Sequence, residues 1–323
     1  MLMRLFGAAM VRDEADVIEA FVRHNLSLLD GLAIVDHGSI DGTSDILAKL
    51  QAEGLALRVV PDAEAAFFQS RRMTEVARET LAREHADFVF ALDADEFLKI
   101  ESRPRLERAL AVVPPGLHAL AHWLTYVPDD FEAADGAFGP GHLWWRLKTE
   151  RHAMHKVIVG RSLVDQPEAF ITDGNHVVSM PGAAKPPPHA RLPSDVVAYA
   201  HCPVRSGEQL AGKVIIGYLA DLAAQAPGRE FAHHWADLYE GLRAGATFTP
   251  ERLREIACNY TLPRGKWRPV GEIELIEDPV PLAVELRYRT GTAPDTLRRL
   301  MHFAEALIAH RNPQAPAGTI EIL

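Results

Sequence analysis

The sequence predicts an α/β fold, with a mostly parallel sheet covered by helices on both faces and a helical C-terminal elaboration. The first 130 residues alternate short apolar runs with stretches whose apolar residues recur at helical spacing. Beyond about residue 130 this alternation fails, and a mainly helical pattern follows. Because strands joined by helices form right-handed crossovers, they pair in parallel. We predict one α/β domain over residues 1–205 and a mainly helical region packed on it over 206–323.

Four short β-rich runs are separated by helical periodicity, and the fourth, FVFAL at 88–92, has the composition of a buried strand. The second predicted helix ends at Gly54, as helices commonly end at glycine. The predicted order is a strand over 3–11, a helix over 17–29, a strand over 31–36, a helix over 43–53, a strand over 55–61, a helix over 63–85 and a strand over 88–92.

The rest of the chain is less regular. Residues 129–155 contain Gly-Pro punctuation, and the proline-rich segment 181–193 excludes a helix or a central strand. Helical periodicity returns over 208–257, and 293–310 predicts a final helix.

Composition excludes some classes of protein. The 34 Lys and Arg against 44 Asp and Glu give a formal net charge of −10, which argues against binding nucleic acid. No run reaches the roughly 18 apolar residues of a membrane span, and two cysteines cannot form a disulfide framework. We therefore expect a cytoplasmic protein without a transmembrane segment; homo-oligomerisation is compatible with this sequence.

The strongest chemical signal is the segment FVFALDADEFL at 88–98. Residues i and i+2 of an extended segment point to the same side, so Asp93 and Asp95 should project together from the strand end. Two such carboxylates suit Mg²⁺ or Mn²⁺, which can bind a diphosphate. The alternative is a solvated acidic turn.

A second signal is IVDHGSIDGTSD at 34–45. Gly38 and Gly42 permit a tight turn, and Asp41 or Thr43 can cap the next helix. Asp36 has no evident structural role and could accept hydrogen bonds from a base or a ribose.

These motifs, together with R-D-E after the first strand, resemble the family 2-like glycosyltransferases of the GT-A (Rossmann-like) fold. The similarity is closest to the branch with R-N-E-A-D, D-x-G-S-x-D-G-T and D-x-D-E-F motifs. It covers residues 3–100 well. It extends weakly to about 215, where AYAHCPVRSGEQLAGKV is similar to H-Y-x-x-R-S-x-E-x-x-x-K.

The resemblance implies a hexosyltransferase-type enzyme that moves a sugar from a nucleoside diphosphate, expected to be UDP, to a carbohydrate or other hydroxyl acceptor. It implies that Mn²⁺ or Mg²⁺ is held by Asp93 and Asp95, with His201 as a distant third ligand. The sequence departs from the family where Asp13 replaces Asn and where His37 replaces Asn or Asp. The residues implied at the nucleotide are Arg12, Glu14, Asp36, Arg71 and Asp93.

Transfer would leave a diphosphate whose charge needs nearby cations. Lys156, Arg205 and Lys213 are the candidates, and a surface position is the alternative for each.

An inverting transfer needs a general base, for which Asp173 and His176 in ITDGNHVVS are the candidates. Trp123 could offer a flat face to the acceptor, as could Trp144 and Trp145, although large aromatics more often lie in the core.

Other functions fit less well. GEQLAGKV at 207–214 nearly matches a phosphate-binding loop but ends in Val214 where Ser or Thr should bind magnesium, and it has helical character. A nucleotidyltransferase of related fold would open with a Gly-rich loop that AAMVRDEADV lacks. A carbohydrate-binding relative without catalytic activity is the remaining alternative.

Overall fold

The computed structural model describes residues 3–131, 138–224, 233–282, 285–288 and 296–311. The strands are β1 (Leu5–Val11), β2 (Gly31–Asp36), β3 (Leu57–Pro61), β4 (Phe88–Leu92), β5 (Glu96–Ile100), β6 (His118–Val127), β7 (Trp145–Leu147), β8 (His155–Gly160), β9 (Phe170–Ile171), β10 (Val178–Ser179), β11 (His189–Arg191), β12 (Val197–His201) and β13 (Leu275–Glu277). The helices are α1 (Ile18–Leu26), α2 (Thr43–Ala52), α3 (Gln69–Arg83), α4 (Arg103–Ala111), α5 (Ser162–Asp165), α6 (Gly207–Ala223), α7 (His233–Arg243), α8 (Pro250–Cys258) and α9 (Thr296–Arg311).

The N-terminal part of the sheet is parallel. Its strands lie in the order β3–β2–β1–β4, and β8 then pairs antiparallel with β4. The chain runs outward from β1 to β3 and returns to β4 on the other side of β1. This reversal between β1 and β4 is a topological switch point, where open α/β sheets bind their ligands beyond the carboxyl ends of the strands.

The second part of the sheet is mixed. Strand β6 pairs antiparallel with β8 and β7, and parallel with β11 and β12. Strand β5 lies antiparallel to β12, and β13 adds to β7 from the C-terminal region. Within the part of the chain that the structure describes, no helix has the length and apolar character needed to cross a bilayer.

Apolar cores lie on both faces of the sheet. Phe21 of α1 and Ile46 of α2 pack on one face, and Met73 of α3 packs on the other. A further core joins Leu210 of α6 and Leu253 of α8 with neighbouring helices. The predicted fold class is therefore confirmed: an α/β sheet with helices on both faces and a helical C-terminal elaboration.

Most predicted elements match, with one clear exception. The helix predicted from residue 63 begins at Gln69 instead. The guanidinium of Arg12 donates hydrogen bonds to the carbonyl oxygens of Glu64 at 3.1 Å and Ala65 at 3.4 Å. Because those carbonyls bond to a side chain, the segment before Gln69 is a loop. The final helix was predicted from 293; residues 293–295 lie outside the described residues, and α9 begins at Thr296.

Candidate active site

A cavity of about 490 Å³ opens at the switch point, beyond the carboxyl ends of β1 and β4. Helix α6 forms one wall, which is completed by side chains from α7, from the segment after α8 and from α9. Its polar lining includes Arg12, Asp13, Glu14, His37, Gln69, Asp93, Asp95, Lys156, Asp173, His176, His201, Gln209, Lys213, Asp221 and Arg299, and its larger apolar and aromatic side chains include Met10, Phe67, Trp123, Ile216, Trp235 and Tyr260.

The two motif carboxylates line this cavity from a turn. The amide of Glu96 donates to the carbonyl of Asp93 at 3.0 Å, which closes a tight connection between β4 and β5. The expected extended geometry is therefore wrong, because residues 94 and 95 form a turn, although Asp93 and Asp95 do line the same cavity. Each carboxylate has its own set of partners.

Asp93 is held by three side chains. It forms an ion pair with Lys156 and accepts hydrogen bonds from Gln69 at 3.1 Å and Asn175 at 3.0 Å. Lys156 also lies 2.7 Å from Glu96, and its side chain is only 1% exposed. Burial lowers the pKa of Lys156, but the two carboxylates outweigh burial and raise it above its ordinary value, so the ammonium stays charged.

Asp95 is more deeply buried. Its Oδ2 lies 2.5 Å from Lys213 Nζ and 3.7 Å from Arg205, and its Oδ1 lies 3.5 Å from His201 Nε2. Burial opposes ionisation, but these neighbours outweigh it and hold the pKa of Asp95 well below its ordinary range. Burial lowers the pKa of His201 to about 4, so its imidazole is neutral at pH 7.

Arg205 does not line the cavity. Its side chain is 1% exposed, pairs with Glu14 and lies 2.6 Å from Asp16. Burial, only partly offset by Arg205, raises the pKa of Glu14 to about 7. The sequence-based role of Arg205 at the diphosphate is not supported by this position, because its guanidinium is enclosed by carboxylates below the cavity.

The candidate bases lie near Asp93, with Asp173 at the start of a turn over Asp173–Asn175 and His176 directly after it. Gly174 has a φ of 75°, and a Cβ there would lie 2.6 Å from the His176 ring. The Nδ1 of His176 lies 2.9 Å from the carbonyl of His155. Because a carbonyl only accepts, Nδ1 carries the proton and Nε2 keeps its lone pair. Asp173 Oδ1 accepts from the Ser70 amide at 3.1 Å.

Trp123 supplies an aromatic wall. Its ring stacks on His176 with centroids 6.0 Å apart and planes 16° apart, and Lys156 Nζ lies 5.3 Å from its centroid. Trp123 is 9% exposed and lines the cavity. Trp144 is 39% exposed, and neither Trp144 nor Trp145 lines it.

Some of the residues expected at the nucleotide line the cavity, and others do not. Arg12 and Glu14 line the cavity, as does His37, whose pKa burial lowers to about 3. Asp36 has the structural role that its sequence context did not reveal: it accepts from the amide of Ser39 at 3.1 Å and from the hydroxyl of Ser44.

Arg71 is exposed outside the cavity, with its guanidinium 4.6 Å from the Phe68 ring centroid. Its expected place near the nucleotide is not supported, because α3 directs this position to solvent.

Several cavity residues were not predicted. Arg299 of α9 lies 3.1 Å from Asp13, with both side chains at least nine-tenths buried. Trp235 and Tyr260 come from a region where helical periodicity alone cannot tell a cavity wall from a core. Asn175 belongs to the same ITDGNH segment as the two candidate bases, so that segment could have indicated its place in the site.

The site suits a hard divalent cation in its chemistry. Within the described ranges, no three His, Cys, Asp or Glu side chains form a ready-made metal cluster. Among the same residues, however, Asp95 Oδ1 and His201 Nδ1 are buried without a hydrogen-bond partner. A carboxylate oxygen and a neutral imidazole are suitable ligands for Mn²⁺, and Asp93 lines the same cavity.

No family model matches the chain, and no curated protein matches it. Solved structures do. They include residues 1–349 of S. aureus TarS, with 12% identity, a TM-score of 0.34, and 71% of this chain and 67% of that chain covered. The mannosyltransferase of Pyrobaculum calidifontis, in complex with GDP-Man and Mn²⁺, has 18% identity, a TM-score of 0.37, and coverages of 79% and 68%.

A third similar structure is glucosyl-3-phosphoglycerate synthase from Mycobacterium tuberculosis, in complex with Mn²⁺, UDP and glucosyl-3-phosphoglycerate. It has 21% identity and a TM-score of 0.26, and 38% of this chain covers 44% of that one. All three TM-scores are below 0.5, so these similarities assign no activity to this chain.

Proposed function

We propose that this protein is a metal-dependent glycosyltransferase that moves a sugar from a nucleoside diphosphate, UDP in the first instance, to a hydroxyl acceptor. The observation that carries the proposal is the acidic turn at the switch point, where Asp93 and Asp95 enter one cavity with cationic and aromatic side chains. Open α/β sheets bind nucleotides at this place. The resemblance of the D-x-D-E-F segment to family 2-like glycosyltransferases supports the same assignment.

The residues have distinct roles in this proposal. Asp93, Asp95 and His201 would hold Mn²⁺ or Mg²⁺, which when bound neutralises the diphosphate leaving group. Lys213 reaches the cavity from α6 and would add positive charge beside the diphosphate. Lys156 holds Asp93 in place, since it is buried between Asp93 and Glu96.

The acceptor would bind against Trp123, next to the candidate bases. Asp173 or the Nε2 lone pair of His176 would take the proton of the acceptor hydroxyl as it attacks the anomeric carbon from the face opposite the diphosphate. Asp173 is the stronger candidate, because burial and the charge of Lys156 lower the pKa of His176 and make its imidazole a weak base. This arrangement corresponds to an inverting transfer.

Ligand binding tests the proposal first. UDP should raise the melting temperature in Mn²⁺ and much less in EDTA, because a metal held by Asp93, Asp95 and His201 would offset the charge of the diphosphate. Equal shifts in both buffers would contradict metal-dependent binding.

Turnover tests it second. With UDP-glucose or another UDP-sugar and Mn²⁺, slow hydrolysis should release UDP, and Asp95→Asn should abolish that release. Asp195→Asn is the matched control, because Asp195 is 67% exposed and pairs with Arg105 outside the cavity. Pyrophosphate released from a nucleoside triphosphate would instead indicate the nucleotidyltransferase, and binding without turnover would indicate the non-catalytic relative.

A further inference from the structure

Three cations and five carboxylates are packed together at the wall of the cavity and directly behind it. The carboxylates outnumber the cations, but burial raises the pKa of Glu14 to about 7 and that of Glu96 to about 8, so these two carboxyls are not fully ionised at pH 7. The cations are Lys156, Arg205 and Lys213, and the carboxylates are Glu14, Asp16, Asp93, Asp95 and Glu96.

The three cations are not equally fixed. Lys156 and Arg205 are each 1% exposed and are each held by two or more carboxylates. Lys213 has a 23% exposed side chain, and its one ion pair among the described residues is with Asp95. Of the three cations, Lys213 therefore has the fewest ion pairs among the described residues and the most exposed side chain. It is the cation that can move into the cavity most easily.

We propose that Lys213 is a displaceable counter-ion of Asp95, which couples metal binding to nucleotide binding. The inference rests on the proposed function and deepens it. Lys213 Nζ lies 2.5 Å from Asp95 Oδ2, so a divalent cation bound to Asp95 meets a positive charge at close range. That repulsion weakens binding of the metal when no nucleotide is present. A bound diphosphate removes the repulsion, because Lys213 then moves from Asp95 to the phosphate oxygens.

The consequence is that the metal and the nucleotide bind preferentially together. The metal is held weakly until a nucleoside diphosphate arrives with it, and the metal and the nucleotide then strengthen each other's binding. Couplings of this kind commonly amount to about 5–150-fold in affinity. Lys213 acts here as a positioning residue, through Asp95 and the diphosphate.

Lys213→Gln tests the proposal through binding alone. Manganese affinity, read from the paramagnetic signal of free Mn²⁺ without nucleotide, should rise about tenfold. The affinity for UDP at saturating Mn²⁺, measured by calorimetry, should fall about tenfold. Lys213→Arg keeps the cation and should keep the weak manganese binding of the native chain.

Lys148→Gln is the matched control, because Lys148 pairs with Glu274 away from this cavity, and its replacement should change neither affinity. If native protein binds Mn²⁺ and UDP while Lys213→Gln leaves manganese affinity unchanged or weaker, the counter-ion role is overturned and the glycosyltransferase assignment stands. If native protein binds neither Mn²⁺ nor UDP, the assignment itself fails.

Discussion

Replacing Arg205 with Ala should destabilise the fold, although the sequence alone suggests a role at the diphosphate. The guanidinium is 1% exposed and lies 2.6 Å from Asp16, beside Glu14 and 3.7 Å from Asp95. Its removal leaves the buried carboxylate of Asp95 and the partly buried carboxylates of Glu14 and Asp16 without their shared cation. Removing one partner of a buried ion pair costs about 3–5 kcal/mol. Because burial already raises the pKa of Glu14 to about 7, proton uptake relieves part of the repulsion, and we expect a loss near ~3 kcal/mol.

Urea unfolding followed by tryptophan fluorescence measures this loss. With an m-value of about 3 kcal/mol/M, the midpoint should fall by about 1 M. Arg205→Lys keeps the charge but loses the fork that bridges Glu14 and Asp16, so its midpoint should lie between the two. An Arg205→Ala variant with the native midpoint and weakened UDP binding would refute the reasoning and return Arg205 to the diphosphate.

Two further predictions concern stability. Burial lowers the pKa of His118 from 6.5 to about 4, so between these values the unfolded chain takes up a proton that the folded chain refuses. His118 should therefore contribute a loss of up to ~3 kcal/mol in native stability as pH drops from 6.5 to 4, and His118→Gln should make the fall with pH smaller by that amount in urea unfolding at each pH. Gly217→Ala places a Cβ 2.7 Å from the Trp235 ring and should cost about 1–3 kcal/mol, whereas Gly271→Ala, which meets open space, should cost almost nothing in the same assay.

The parallel strands β1, β2 and β4 could be predicted from sequence because nearly all of their residues are buried. The predicted bounds of β2 and β4 agree with the structure, since a continuous apolar run bounded by polar residues leaves little freedom. Strand β5 was not predicted. It pairs with β12, about a hundred residues later in the chain, and a local pattern contains no information about so distant a partner.

The candidate site was predictable where strand ends fix the position of a side chain. Asp93 and Asp95 follow β4, Lys156 lies at the start of β8 and His201 ends β12, and all four reach the same cavity. The ion-pair and hydrogen-bond partners of these four residues could not be predicted. They depend on the turn between β4 and β5, which the sequence pattern did not indicate.

Arg205 and Lys213 show most clearly what sequence could not decide. Both are cations of one segment, and both were candidates for the diphosphate. Arg205 lies just before Ser206, which is extended and caps α6 by accepting from the Gln209 amide at 3.1 Å, and the Arg205 side chain does not line the cavity. Lys213 lies two turns into α6, on its cavity-facing side. Their roles differ because their surroundings differ. Arg205 is surrounded by several carboxylates and stabilises the fold, whereas Lys213 is paired with one carboxylate and can move to a ligand.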